Sequence, residues 1–127
     1  MKTVLLIEDD TVLRENTAEL LELSGYNPIT ASNGKTGVAL AKKHQPHVII
    51  CDIMMPELDG YSALKILSKS KLTNYIPFIF LSAKTERSDV RKGMNLGADD
   101  YITKPFSEDD LISAIESRLA KVSILEE

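Results

Sequence analysis

Short apolar runs alternate with segments of helical periodicity along the whole chain. The apolar runs predict five strands, at residues 3–7, 26–31, 48–51, 76–81 and 101–102. Apolar residues spaced three and four apart predict five helices, at about 13–24, 32–44, 61–70, 85–97 and 107–122. Strands that alternate with helices form a parallel sheet covered on both faces, and continuous apolar strands are typical of this doubly wound α/β class.

Polar residues at the predicted helix ends support these boundaries. Ser32 or Asn33 can cap the second helix, and Thr85 can cap the fourth. Ser107 begins the last helix with Asp110 three residues on, as in a capping box. The sequence contains no repeat and no internal linker, so it predicts a single domain.

Composition argues against several classes of protein. The 127 residues suit one domain, and the formal net charge of −4 predicts no direct nucleic-acid binding by this segment. The single cysteine, Cys51, lies within an apolar run and is expected to be a buried, unreactive thiol. The sequence predicts neither a secretory signal nor a membrane span. We therefore expect a cytoplasmic protein without a membrane partner.

Acidic residues directly follow two of the predicted strands. Glu8 and Asp9 follow the first strand and Asp52 follows the third, where helix capping does not explain a carboxylate beside a buried run. Ligands of doubly wound sheets bind beyond the carboxyl ends of the strands. If the first and third strands are neighbours, three carboxylates meet there and their repulsion demands a cation or raised pKa values. Oxygen ligands suit Mg²⁺, so the sequence predicts a magnesium site at these acids.

Four segments together resemble the receiver domain of bacterial two-component response regulators, as in the chemotaxis regulators. They are VLLIEDD, VIICDIMMPELDG, IPFIFLSAK and GADDYITKPF, in this order and at matching spacing over about residues 2–121. The resemblance implies a flavodoxin-like sheet of strand order 2-1-3-4-5. It also implies a receiver domain at residues 1–121, with residues 122–127 as a C-terminal tail or the start of a linker.

The resemblance implies roles for the acids and for one neighbouring residue. Asp52 matches the phosphoacceptor. Glu8 and Asp9 match the acids that hold Mg²⁺ together with Asp52, and Met54 matches the position whose backbone carbonyl also binds the ion.

The resemblance also implies roles for residues after the fourth and fifth strands. Lys104 matches a lysine that pairs with the phosphoryl group, and Ser82 matches the switch hydroxyl. Tyr101 matches an aromatic residue that moves inward on activation. Pro105 matches a proline that is usually preceded by a cis peptide bond.

The implied function is a phosphorylation-controlled switch that assists its own phosphorylation and dephosphorylation but is not otherwise an enzyme. A sensor histidine kinase or phosphotransfer protein would phosphorylate Asp52 in a magnesium-dependent reaction. Helix four, strand five and helix five would then present a changed surface to an output partner or a fused effector domain. The resemblance leaves open a homodimer through this surface, and the chain is either a stand-alone receiver or part of a longer protein.

Two other classes share parts of this pattern. A flavodoxin-type cofactor binder has the same fold but needs a Ser/Thr/Gly-rich phosphate loop after the first strand, where this chain has the acidic EDD. An aspartyl-phosphate phosphatase would have a second aspartate two residues after Asp52, where Met54 stands.

The same resemblance bears on how long a phosphoryl group would persist. Receivers tend to tune hydrolysis with the side chains two residues after the phosphoacceptor and two after the switch hydroxyl, here Met54 and Lys84. Met54 cannot orient a water well, and we therefore predict slow self-dephosphorylation.

Overall fold

The computed structural model of the chain describes residues 1–84 and 86–126, and the side chains of residues 1–84 and 86–121. The strands are β1 (Thr3–Ile7), β2 (Asn27–Ala31), β3 (Val48–Cys51), β4 (Phe78–Ser82) and β5 (Asp100–Thr103). The helices are α1 (Thr11–Leu23), α2 (Gly34–His44), α3 (Gly60–Ser68), α4 (Arg87–Asn95) and α5 (Glu108–Glu126).

All strand pairs in the sheet are parallel, and the order is β2-β1-β3-β4-β5. The predicted order 2-1-3-4-5 and the doubly wound α/β class are therefore confirmed. In this order β1 lies next to β3, and their last residues, Ile7 and Cys51, are paired. The residues that follow them, Glu8 and Asp52, leave the sheet at the same edge.

Two apolar layers hold the helices against the sheet. One layer joins α2, α3 and the start of β5 to strand residues such as Leu5 and Phe80. The other joins α1 and α5 to strand residues such as Leu6 and Ile79. Successive strand residues point to opposite faces, and both faces are covered, so every position of β3 and β4 is buried. This explains why the strands appear in the sequence as unbroken apolar runs.

The boundaries of β2, β4 and β5 differ from those predicted, and β2 begins at Asn27 instead of residue 26. β4 begins at Phe78 instead of residue 76, because Pro77 has no N–H group to donate to the ladder. It extends to Ser82, which pairs with Thr103 and so lengthens β5 at its C-terminal end. Pairing across the sheet, which local hydrophobicity does not report, sets both ends.

Side-chain caps define the starts of several helices. Asn33 caps α2, since its Oδ1 accepts a hydrogen bond from Thr36 N at 2.8 Å. Ser107 Oγ accepts from Asp110 N at 3.0 Å at the start of α5. The predicted Thr85 cap of α4 lies outside the described residues. Within the described part of the chain, no helix combines the length and apolar character of a membrane span.

Candidate functional site

Three carboxylates meet at the C-terminal edge of β1 and β3. One carboxylate oxygen from each of Glu8, Asp9 and Asp52 lies within 4.8 Å of the other two. Glu8 and Asp52 are buried, with 1% and 7% of their surface exposed, whereas Asp9 is exposed. The convergence that the sequence predicted from neighbouring strands is confirmed, and the exposed Asp9 leaves the cluster open to solvent.

Lys104 reaches this acid cluster from the loop after β5. Its Nζ donates hydrogen bonds to Glu8 Oε1 at 2.6 Å and to Asp52 Oδ2 at 3.2 Å. Its backbone N–H donates to the Ser82 carbonyl at 2.8 Å, which fixes the loop against the end of β4. The peptide bond between Lys104 and Pro105 is cis, as expected.

Burial and the neighbouring charges both shift the pKa values of Glu8 and Lys104. Burial raises the pKa of Glu8 to about 7, although the hydrogen bond from Lys104 lowers it, and the nearby Asp52 charge raises it further. Burial lowers the pKa of Lys104, but the hydrogen bond to Glu8 and the charge of Asp52 outweigh this effect and raise it. One lysine therefore compensates the acids only in part.

The donor set fits a hard divalent cation. Three carboxylates beside one lysine leave two negative charges in excess when all are ionised. Oxygen ligands with an open side toward water are the arrangement that Mg²⁺ accepts, because it retains several of its waters. The cluster of Glu8, Asp9 and Asp52 can thus hold a metal ion, as the sequence predicted.

The backbone around Asp52 holds its side chain in place. Asp52 Oδ1 accepts a hydrogen bond from Ile53 N at 2.7 Å, and Asp52 N donates to Ile7 O at 2.9 Å. Gly60, at the start of α3, donates to Ile53 O at 2.8 Å. A Cβ at Gly60 would collide with the Asp52 carbonyl oxygen, so this close approach requires glycine. Sequence reasoning missed this role of Gly60 in positioning Asp52. The local signal for it was the pair Asp59-Gly60 at the start of a helix.

The loop after β4 connects Ser82 to Tyr101. Ser82 Oγ accepts a hydrogen bond from Lys84 N at 3.1 Å, and Tyr101 Oη donates to Lys84 O at 2.7 Å. The Tyr101 ring lies 6.0 Å from that of Phe80 and packs beside Gly93 of α4. The two predicted switch residues are therefore linked through one loop residue.

An open cavity of about 540 Å³ lies beside the acid cluster, between the β3–α3 loop and α4. Met54 and Lys84 both line it, and Met54 has 63% of its surface exposed. Lys84 Nζ lies 3.8 Å from Asp89 Oδ1, and Lys92 Nζ lies 4.5 Å from the centroid of the Tyr61 ring. Sequence reasoning missed both α4 contacts, because helical periodicity does not indicate which loop a helix faces.

Two further residues, Arg14 and Cys51, lie next to the acid cluster. Arg14 Nη1 donates to the Glu8 carbonyl at 2.9 Å, a contact that the sequence did not predict. Cys51 is buried, and burial raises its pKa well above the ordinary value, with the charges of Asp52 and Glu8 adding to the shift. The expected burial of this thiol is confirmed, and a raised pKa disfavours the reactive thiolate.

Comparisons with known proteins agree on one family. Residues 4–116 match the family model for the response regulator receiver domain. Protein PilH of Pseudomonas aeruginosa is 37% identical over 120 residues, which are 94% of this chain and 99% of PilH. The phosphate regulon transcriptional regulatory protein PhoB of the same species is 37% identical over 120 residues, which are 94% of this chain and 52% of PhoB. The chain thus spans nearly all of PilH but only about half the length of PhoB and of other matching transcriptional regulators.

A solved structure shows the same architecture. It is the receiver domain of a sensor histidine kinase from Pseudomonas aeruginosa PAO1, with a magnesium ion coordinated in its active site cleft. Its TM-score is 0.88 at 27% sequence identity, and the match covers 94% of this chain and 98% of that one. Family match, identity and fold lead to one conclusion: the chain belongs to the response regulator receiver domain family.

Proposed function

We propose that this chain accepts a phosphoryl group on Asp52 and thereby switches the surface formed by α4, β5 and α5. The observation that carries the proposal is the position of Asp52. Its carboxylate lies at a sheet edge, with Lys104 Nζ at 3.2 Å and the carboxylates of Glu8 and Asp9 beside it. Membership of the receiver family favours this function over cofactor binding or phosphatase turnover.

Asp52 acts as the nucleophile in the proposed reaction. One of its carboxylate oxygens forms a bond to phosphorus while the bond from phosphorus to a donor imidazole nitrogen breaks, and the bonding electrons remain on that nitrogen. Carboxylate and phosphoryl oxygens repel each other, so positioning and charge compensation determine the rate. Lys104 donates hydrogen bonds to the phosphoryl oxygens in place of part of its present bonding to Asp52 and Glu8.

Glu8, Asp9 and Asp52, with the backbone carbonyl of Met54, are the residues that would hold Mg²⁺. When bound, the ion supplies positive charge that offsets the repulsion between Asp52 and the phosphoryl group. The raised pKa of Glu8 means that metal and proton compete for this carboxylate.

Ser82 and Tyr101 are the proposed switch residues. The new phosphoryl oxygens are strong acceptors, and the Ser82 hydroxyl can donate to one of them. That interaction would draw in the loop holding Lys84, whose carbonyl already accepts from Tyr101 Oη. A charge change at Asp52 is in this way coupled to α4 and β5.

We propose that a sensor histidine kinase or a phosphotransfer protein is the donor, with the chain acting in the cytoplasm. The changed α4–β5–α5 surface would engage an output partner, a fused effector domain or a second copy of the chain. In this proposal residues 1–121 form the receiver, and residues 122–127 are a tail or the start of a linker.

The test is phosphorylation by acetyl phosphate with Mg²⁺, followed by intact-mass spectrometry. We expect one added phosphoryl group on the parent chain and none on Asp52→Asn. The matched control is Asp59→Asn, which changes a nearby acid that caps α3 through Ser62 N. Asparagine caps helices about as well as aspartate, so this control should fold and accept phosphate normally. Labelling of Asp52→Asn at the parental level would refute the assignment.

A further inference from the structure

Lysines on α2, on α3 and in the segment after α3 form a charged surface that we call the lysine face. All six lysines are exposed, and they are Lys35, Lys42, Lys43, Lys65, Lys69 and Lys71. The sequence has no aspartate or glutamate within residues 32–51 or 60–85. Among the described side chains, the lysines in ion pairs are Lys84 and Lys104, not these six. The lysine face is therefore predominantly positive, and in the part of the chain that the structure describes acids lie only at its borders: Glu57 and Asp59 before α3 and Asp99 beside Tyr75.

The fold brings these lysines together from separate parts of the sequence. α2 and α3 lie side by side on one face of the sheet. Tyr75 Oη donates to Gln45 Oε1 at 3.0 Å, which joins the segment after α3 to the C-terminal end of α2. Both helices start at the edge that contains Asp52, so their C-terminal ends lie at the opposite edge. Most of the lysine face is thus remote from the acid cluster.

The other side of the molecule has the opposite charge. Three exposed glutamates, Glu15, Glu19 and Glu22, lie along α1. Three exposed acids, Glu108, Asp109 and Asp110, form the first turn of α5. Because α1 and α5 cover the face of the sheet opposite to α2 and α3, charge is separated across the molecule. Such a distribution orients a protein toward an anionic surface.

Helix stability accounts for only part of the lysine face. Lys42 and Lys43 lie in the last turn of α2, where positive charge is favourable. Lys35, however, lies in the first turn of the same helix, where positive charge is unfavourable. Lys65 and Lys69 lie in the last turn and at the C-cap of α3, where positive charge is again favourable, but Lys71 follows the helix and supports no helical turn.

The composition of this surface indicates the kind of partner. Protein interfaces favour arginine and are depleted in lysine, and residues 34–77, which include α2, α3 and the segment after α3, contain lysines but no arginine. Anionic lipid headgroups attract clustered lysines through diffuse charge. Exposed apolar side chains accompany the lysines: Leu72 and Tyr75 have 47% and 61% of their surface exposed. Such residues can enter the boundary between headgroups and acyl chains.

We propose that the lysine face binds peripherally to a bilayer surface that contains anionic phospholipids. The acidic side of the molecule faces away from that surface, and binding is independent of phosphorylation at Asp52. The sequence-based expectation of no membrane partner rested on the lack of an apolar span. Hydropathy does not detect a charged surface that separate segments form only in the fold.

The experiment is co-sedimentation of the full chain with phosphatidylcholine vesicles that do or do not contain phosphatidylglycerol. We expect the parent to bind the phosphatidylglycerol vesicles and to be released by added salt. The triple variant Lys43→Gln/Lys69→Gln/Lys71→Gln should bind at least about tenfold more weakly. The matched control, Lys2→Gln/Arg87→Gln/Lys121→Gln, removes the same charge at exposed positions elsewhere and should bind nearly as the parent does.

Several outcomes would overturn the proposal. They are equal losses in the two triple variants, equal binding to vesicles without phosphatidylglycerol, and no binding by the parent. Tighter binding of the parent to duplex DNA than to the anionic vesicles would identify nucleic acid as the occupant instead. Thermal melting of each variant verifies that it is folded.

A fluorescence measurement tests the orientation independently. The chain has no tryptophan, so Leu72→Trp introduces a single reporter beside the lysine face. Its emission should shift to the blue on addition of anionic vesicles. The control is Leu23→Trp, at an 80% exposed position on α1, whose emission should not change. A blue shift of the α1 reporter alone would contradict the proposed orientation.

Discussion

Lys104 Nζ lies 2.6 Å from Glu8 Oε1, so the lysine after the last strand is bound to the acid after the first. The same amine lies 3.2 Å from Asp52 Oδ2. Glu8 is almost fully buried, which makes this ion pair the main compensation for a carboxylate within the sheet edge. Lys104 thus has a structural part in the metal-free protein besides its proposed part in phosphoryl transfer.

Replacing Lys104 by methionine should destabilise the metal-free protein. The variant keeps the aliphatic volume but leaves Glu8 and Asp52 without their cation, at a cost of about 2 kcal/mol. Urea denaturation in the presence of a chelator measures this loss. The control is Lys121→Met, at an exposed position, which should change the unfolding free energy little. If the two variants unfold at the same urea concentration, the ion pair contributes nothing measurable.

Magnesium affinity should depend on pH through Glu8. The pKa of Glu8 is raised from 4.5 to about 7, mainly by burial, so the folded metal-free protein holds a proton that the unfolded chain has lost. The contribution of Glu8 to stability therefore falls as pH rises through this window. Metal binding must displace the same proton, so the affinity should rise up to about tenfold per pH unit below 7 and level off above it.

Calorimetric titration with Mg²⁺ in buffers of different ionisation heat detects the displaced proton. The Glu8→Gln variant should show weaker binding with much less pH dependence. A parent affinity that is constant between about pH 6 and pH 8 would contradict competition at this carboxylate.

Substituting Gly60 by alanine should displace the backbone at Asp52 and so change the position of the Asp52 carboxylate. The added Cβ would collide with the Asp52 carbonyl oxygen and would lie 2.8 Å from Ile53 Cα. Backbone atoms yield little, so we expect a loss of about 2 kcal/mol of stability and slower phosphorylation. Ser62→Ala, in the same turn of α3, is the control and keeps the Asp59 cap. Parental stability of Gly60→Ala would show that the loop can move aside.

Met54→Asn should shorten the life of the phosphorylated state by several-fold. Met54 lines the cavity beside Asp52, and an amide there can orient water that the thioether does not. The measurement is decay of the phosphorylated protein after removal of the donor. Met94→Asn, on the exposed side of α4, should decay at the parental rate. An unchanged decay rate for Met54→Asn would show that this side chain does not control hydrolysis.

The sequence by itself determined the elements and much of the candidate site. Continuous apolar runs predicted strands because both faces of the sheet are covered, and β1 and β3 have the predicted ends. Asp52 was identifiable because a carboxylate directly after a buried strand has no local explanation, whereas Glu8 and Asp9 could also have favoured the start of the first helix. Convergence of these acids required the first and third strands to be neighbours, an order that the resemblance to receiver domains implied.

Tertiary structure decided what depends on contacts between distant segments. The bonds from Lys104 to Glu8 and Asp52 join residues far apart along the chain. The lysine face joins α2 to α3 and to the segment after α3. The close approach of Gly60 to the Asp52 carbonyl is local in sequence, but it depends on the path of the β3–α3 loop. Strand pairing likewise set the ends of β4 and β5. Local periodicity reports which side of an element is buried, but not which element lies against it. The distances between side chains on different elements depend on sheet order and helix placement, and both arise from packing of the whole chain.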